Sequence, residues 1–230
     1  MTEALKTVHP ATVRAWVDGW VISRQTPAPV REPWGLRVDV GLPGHVARHI
    51  VPDPTPVTIE RLTGVLTIPG TWLKLCAPAA AVAPLLPERW SVKDLEFMMT
   101  TSLAIGATAR TAPASRAYAH QRPEPPAGYT LAVTTRAGVT VARLLTAAGE
   151  VAARGQYAMA GRTAVVDKVE TASGHRRRGL GTVIMRTLTT TAAAAGAHTG
   201  VLVATAEGQA LYETLGWTLH TPVTAAVLTH

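Results

Sequence analysis

Residues 175–181 read H-R-R-R-G-L-G, three consecutive arginines followed by two glycines one residue apart. They stand between a β-type segment, 163–171 (TAVVDKVET), and a run of helical periodicity, 179–195. In that run Leu180, Ile184, Leu188 and Ala192 recur four apart, and Gly196 supplies the stop. A basic turn in this place is a nucleic-acid patch, an exposed loop, or a seat for a phosphate. The third reading has a physical basis. The first turn of a helix carries N–H groups with no intrahelical acceptor, and the helix dipole adds partial positive charge. Glycines at 179 and 181 let a pyrophosphate approach the backbone, and arginines add charge-assisted bonds. A nucleic-acid surface needs cations spread along a face. Here Arg186 is the one Lys or Arg after Arg178, so the charge is focused on a single helix start.

Working outward, 201–204 (VLVA) is a short apolar strand of the kind buried on both faces, 207–215 (EGQALYETL) a helix ended by Gly216, and 223–228 a returning strand. Upstream, 129–135, 139–146 and 151–158 read as strands, the last two joined by the turn 147–150 as in an antiparallel hairpin. Before them, 107–128 has few large apolar residues and ends in PEPPAG, the composition of a linker. The proline-punctuated first half repeats the same order in degraded form: a strand ending at Arg48 to Val51, a helix over 55–66 opened by Thr55 and Pro56, and a strand over 71–76. A helix over 79–86 follows, and then a strand over 94–101, where Ser91 with Asp94 also suits a capped helix start. The expected organisation is an N-terminal lobe over 1–105, a linker over 106–128 and a second domain over 129–230.

The 230 residues are 47% hydrophobic and 16% charged, enough to build a core without a partner. The formal charge of +7 favours anionic ligands without choosing among them. Cys76 is the only cysteine, which excludes an intramolecular disulfide and a cysteine-built zinc site. The eight histidines lack metal-ligand spacing, and no metal is expected. No apolar run approaches bilayer length and the first ten residues lack a signal pattern, so a cytoplasmic protein with no membrane partner is expected. Neither the dinucleotide fingerprint nor the P-loop pattern is present.

The segment V-E-T-A-S-G-H-R-R-R-G-L-G, followed by V-L-V-A-T and E-G-Q-A-L-Y-E-T-L-G-W, resembles the GNAT superfamily of acyl-CoA-dependent N-acyltransferases. Three motifs occur in that family's order and spacing, covering 129 to the C-terminus; the first hundred residues match only as the degraded half-repeat. The resemblance implies an α/β (α+β) fold with a mixed, mostly antiparallel central sheet and flanking helices, preceded by a smaller degenerate α/β lobe. It also implies acetyl-CoA as co-substrate. Val169, Glu170 and Thr171 would line the pantetheine, and Arg176, Arg177, Arg178, Gly179, Leu180, Gly181 and Thr182 would hold the pyrophosphate. Tyr212 would protonate the departing thiolate. Glu170 is the candidate base, with Glu96 and Asp167 behind it.

The family's usual helices between its first two core strands are missing, since only a turn at Ala137-Gly138 separates 129–135 from 139–146. The N-terminal half would then supply the acceptor side, with Trp72, Trp90 and 97–99 as candidates. The expected function is acetyl transfer to a primary amine of a small molecule, by a monomer or homodimer that binds no nucleic acid. The alternatives are a catalytically silent acyl-CoA-binding or regulatory protein, and a protein or peptide N-acetyltransferase.

Overall fold

The structure, a computed structural model, describes residues 8–103 and 123–229. The expected linker over 106–128 lies outside the described residues as far as 122. The chain divides into two compact units, residues 1–100 together with 203–230, and residues 101–202.

The first unit opens with a helix that precedes every element expected from the sequence, α1 (Pro10–Arg24). Pro10 sits in its first turn, where a missing N–H costs nothing, and Gln25 ends it in the left-handed region at φ 56°. Val13, Trp16, Val17, Trp20 and Val21 form its buried stripe. Strands β1 (Val30–Glu32), β2 (Gly35–Leu42) and β3 (His45–Val51) follow as antiparallel neighbours. Helix α2 (Pro56–Val65) then crosses over to β4 (Thr71–Leu75), which pairs parallel to β3. The helix expected over 79–86 is shorter: α3 covers Ala79–Val82, and the chain tightens into a 3-10 turn over Ala83–Leu85, where Pro84 cannot donate the next helical bond. Strands β5 (Trp90–Val92) and β6 (Glu96–Ser102) complete the N-terminal contribution.

The C-terminal strand β12 (Thr218–Leu228) belongs to this sheet. It pairs antiparallel with β4 at Thr224↔Leu75 to Val227↔Trp72, with β5 at Ala226↔Val92, and with β6 at Val223↔Glu96. This pairing is why 203–230 groups with the first hundred residues and not with 129–202. Its last six residues, V-T-A-A-V-L, are all buried, the pattern of a strand covered on both faces. One face packs Leu73, Leu75, Val51, Ala226 and Leu228 against Ile59 and Leu62 of α2 and against Trp90.

The second unit holds β7 (Tyr129–Arg136), β8 (Val139–Thr146), β9 (Val151–Ala160) and β10 (Thr163–Thr171), each antiparallel to the next. Ala137 and Gly138 both take positive φ, 49° and 76°, the geometry of the two-residue hairpin turn that matches strand twist. Helix α4 (Leu180–Ala194) returns the chain to β11 (Thr199–Thr205), parallel to β10. Leu180, Ile184, Leu188 and Ala192 are each no more than 1% exposed, as their spacing requires. A Cβ on Gly155 of β9 would stand 2.7 Å from Ile184 Cγ2 and 2.9 Å from Leu188 Cδ1. Gly155 is what lets α4 lie this close to the sheet.

Antiparallel pairing followed by a strand–helix–strand crossover with parallel strands thus occurs once in each unit, β2–β3–α2–β4 and β9–β10–α4–β11.

Candidate functional site

The two crossovers differ where a ligand would sit. In the first unit the β3–β4 ladder is complete over five pairs, Ala47↔Thr71 to Val51↔Leu75. The N-terminus of α2 is already satisfied: the Thr55 hydroxyl accepts from Thr58 N at 3.2 Å, and Pro56 has no N–H to offer. That crossover is paired along the whole of β4 and capped by a side chain.

In the second unit the parallel ladder between β10 and β11 consists of Thr163↔Thr199, Ala164↔Gly200 and Val165↔Val201. Past Val165, β10 continues to Thr171 paired with β9 alone, through a bulge between Asp167 and Glu170 in which Lys168 takes φ 52°. The bulge places Lys168 and Val169 outside the ladder register on β10 and bends the strand just where it leaves β11. Val169 and Thr171 are half-buried, whereas Glu170 is exposed.

After β10 the chain makes a 3-10 turn (Ser173–His175), and the arginine run follows. Arg177 takes φ 61° and Gly179 φ 74°, so the turn enters the left-handed region twice. Gly179 is the N-cap of α4 and no side chain caps the helix; the first turn contains no acidic residue either. The main-chain donors of that turn are the ones a bound anion satisfies. A Cβ built on Gly179 would meet nothing within 4 Å, so the space above this residue is open. The Leu180 side chain is buried in the core, and what Leu180 can offer a ligand is its main-chain N–H. Gly181 and Thr182 are half-buried, and Arg176, Arg177 and Arg178 are exposed. Arg176 Nε donates to the Thr171 carbonyl at 3.4 Å, and Arg178 Nη1 to the Tyr129 hydroxyl at 3.1 Å. Arg176 and Arg178 are therefore folded back around the turn, and the seat joins a bent strand, an uncapped helix start and cationic donors within one unit.

Glu170 carries 65% side-chain exposure and lies 3.3 Å from Arg154 Nε, a solvated carboxylate beside a cation. Tyr212 lies on α5 (Ala206–Thr214), whose N-cap Thr205 accepts from Gly208 N at 3.3 Å. The tyrosine is 8% exposed, with its ring centroid 6.2 Å from that of Trp217. A Cβ on Gly208 would come within 3.2 Å of Tyr212 Cε2, so the glycine clears room for the ring.

The reserve candidates resolve differently. Glu96 is bound to the Lys74 ammonium, 2.6 Å from Nζ to Oε2, and Asp167 is half-buried next to the bulge. Trp90 belongs to the packed core of the first unit, and Met98 and Met99 are fully buried, so these side chains are core. Trp72 is half-buried, donating from Nε1 to the Gly44 carbonyl at 2.8 Å. Tyr129 and His175, which touch the arginine run, carry no sequence signal: their spacing of 46 residues matches no motif, and only the fold brings them together. Among the described residues no group of three His, Cys, Asp or Glu is placed to hold a metal ion, and no helix is long and apolar enough to cross a membrane.

Residues 108–217 match the family profile described as the acetyltransferase (GNAT) family. No curated protein matches the sequence. Among solved structures, a GCN5-related N-acetyltransferase from Kribbella flavida superposes with a TM-score of 0.58 at 17% identity, over 93% of this chain and 96% of that one. A putative GNAT-family acetyltransferase from Novosphingobium aromaticivorans gives 0.56 at 20% identity, over 96% and 98%. A tandem GNAT protein from the clavulanic acid biosynthesis pathway gives 0.51 at 14%, over 68% and 63%. At these identities the likeness is one of fold, and that fold is the mostly antiparallel sheet with flanking helices found here. The bulged strand, the arginine turn and the helix it opens all lie inside the segment, residues 108–217, that matches the acetyltransferase (GNAT) family model.

Proposed function

We propose that the protein transfers an acetyl group from acetyl-CoA to a primary amine of a small molecule, with its one cofactor seat in the second unit. The observation that carries this reading is the pairing of a truncated β10–β11 ladder with an uncapped, glycine-started helix that directly follows three arginines. The fully paired, hydroxyl-capped crossover of the first unit supports a single seat. Val169, Glu170 and Thr171 would present main-chain groups to the pantetheine arm, and 176–182 would hold the diphosphate by main-chain N–H and guanidinium donors.

Acyl transfer from a thioester needs a neutral amine, a stabilised oxyanion and a proton for the thiolate. Main-chain N–H groups at the bulge would polarise the carbonyl, Glu170 would take the amine proton directly or through water, and Tyr212 would supply the proton to sulfur. The chain's net positive charge disfavours lysine-rich protein acceptors. The half-repeat reading of the first hundred residues, as the part that supplies the acceptor side, belongs to the same proposal.

Thiol release from acetyl-CoA across a panel of amines, aminoglycosides and peptides tests it. Release with a small amine is the expected result; release with peptides alone would overturn the acceptor class. One observation favours a second reading, binding without turnover: Glu170 is solvent-exposed and beside Arg154, not enclosed as a dedicated base. Tight cofactor binding with no thiol release for any acceptor would establish that reading instead.

A further inference from the structure

The Tyr129 hydroxyl lies 2.9 Å from His175 Nδ1 and accepts from Arg178 Nη1 at 3.1 Å. His175 and Arg178 bracket Arg176 and Arg177, so one oxygen from the far edge strand of the sheet, β7, holds both flanks of the turn. The Tyr129 and His175 rings meet edge to face, centroids 5.7 Å apart at 79°. Arg178 can only donate, so the phenol oxygen receives its N–H; toward His175 Nδ1 the same hydroxyl either gives its own proton or accepts a second N–H, as the imidazole tautomer sets. Between these anchors the chain takes φ 61° at Arg177, a conformation a non-glycine residue adopts at a cost of about 1–2 kcal/mol. A turn held in such a conformation needs anchors on both sides, or its donors spread over several geometries before a ligand arrives.

We infer that Tyr129 is a positioning residue for the diphosphate seat: its hydroxyl pre-orders His175 and Arg178, so that the Arg178 guanidinium and the donors at the start of α4 are aimed before an anion binds. This rests on the reading of 176–182 as that seat. One donor of Arg178 is used on the tyrosine, and the remaining members of its five-donor fork stay available to phosphate oxygens. Tyr129 touches no reacting atom, and its effect belongs to binding.

The test is Tyr129→Phe, which keeps the ring packed against His175 and removes the hydroxyl alone. By calorimetry the Kd of the full-length protein for coenzyme A should rise roughly tenfold, the size expected for losing a bond to a charged group. The KM for acetyl-CoA should rise by a similar factor with kcat unchanged, and the thermal midpoint should hold. Binding of S-acetylpantetheine, which lacks the diphosphate, should be unaltered; an equal loss there would make the tyrosine a general structural residue and overturn the inference. In a cycle with Arg178→Ala, the double variant should lose no more than the larger single one, and full additivity would count against a shared network. If the wild-type chain binds coenzyme A and Tyr129→Phe binds it equally well, the positioning role is wrong while the seat stands. If the wild-type chain does not bind coenzyme A at all, the seat itself is wrong and the inference falls with it.

Discussion

Lys74 on β4 and Glu96 on β6 reach each other across the full width of β12, Nζ to Oε2 2.6 Å, with the lysine 4% and the glutamate 26% exposed. Burial drives the Lys74 ammonium down to about 8, against the pull of Glu96 in the other direction. Glu96→Gln removes the group that keeps the lysine charged and should destabilise the first unit by about 2–4 kcal/mol at pH 7. The penalty should shrink as pH rises from 7 toward 8 and stay small above it, because without Glu96 the lysine sheds its proton at a lower pH than in the wild type. Replacing both, Lys74→Met with Glu96→Gln, should recover most of the loss. Denaturant melts of the three variants at pH 7 and pH 9 check this, and a penalty independent of pH would contradict it.

His45 and His49 are both pushed down to about 4, chiefly by burial, with Arg48 acting on the first and Arg37 on the second. His49 Nδ1 accepts from Trp34 Nε1 at 3.2 Å, which requires that nitrogen to be bare. Between pH 6.5 and about 4 the unfolded chain binds these protons and the folded chain does not. Stability should therefore be complete above pH 6.5 and drain away toward pH 4, by roughly 2–3 kcal/mol for His49 alone. His49→Asn retains an acceptor and should flatten the thermal midpoint over that window; an unchanged slope would assign the acid sensitivity elsewhere.

Gly155 predicts a packing effect with a functional echo. Adding a Cβ 2.7 Å from Ile184 and 2.9 Å from Leu188 forces α4 away from β9. Gly155→Ala should cost about 1–3 kcal/mol and raise the KM for acetyl-CoA, because the helix whose first turn forms the seat is the element displaced. Gly179→Ala meets no neighbour and should cost about 1 kcal/mol through its positive φ alone. Thermal melts and initial rates on the two variants separate these effects.

For the chemistry, Tyr212→Phe should lower kcat with little change in cofactor Kd, and unaltered turnover with a good acceptor would remove the acid role. Arg176→Ala combined with Gly181→Val should abolish coenzyme A binding by calorimetry. Full affinity would show that 176–182 is not the seat.

The second unit was legible because its pattern changes sharply, from the β-type segment 163–171 to four-residue recurrence from Leu180, with the arginine run marking the join. The crossover of the first unit was legible from Thr55-Pro56 for the same local reason. Helix α1 was missed, although Pro10 and the Val13, Trp16, Val17, Trp20, Val21 spacing carry its signal, because the dense prolines after it drew the reading toward short elements. What could not be read were long-range pairings. Nothing local in 218–228 indicates that Trp72 lies beside Val227, and no spacing rule brings Tyr129 to His175. Periodicity reports which face of an element is buried, not which other element buries it.

The antiparallel pairing of Trp72 with Val227 joins positions 155 residues apart. A ribosome working from the N-terminus therefore releases α1 through β6 long before their central strand exists, and until residues 218–228 emerge β4 presents an unpaired apolar edge. Final closure of the sheet is then a late event with a large loop-closure cost, so the chain should fold slowly for its size, and a nascent product stopped before residue 218 is the species most exposed to chaperones and proteases.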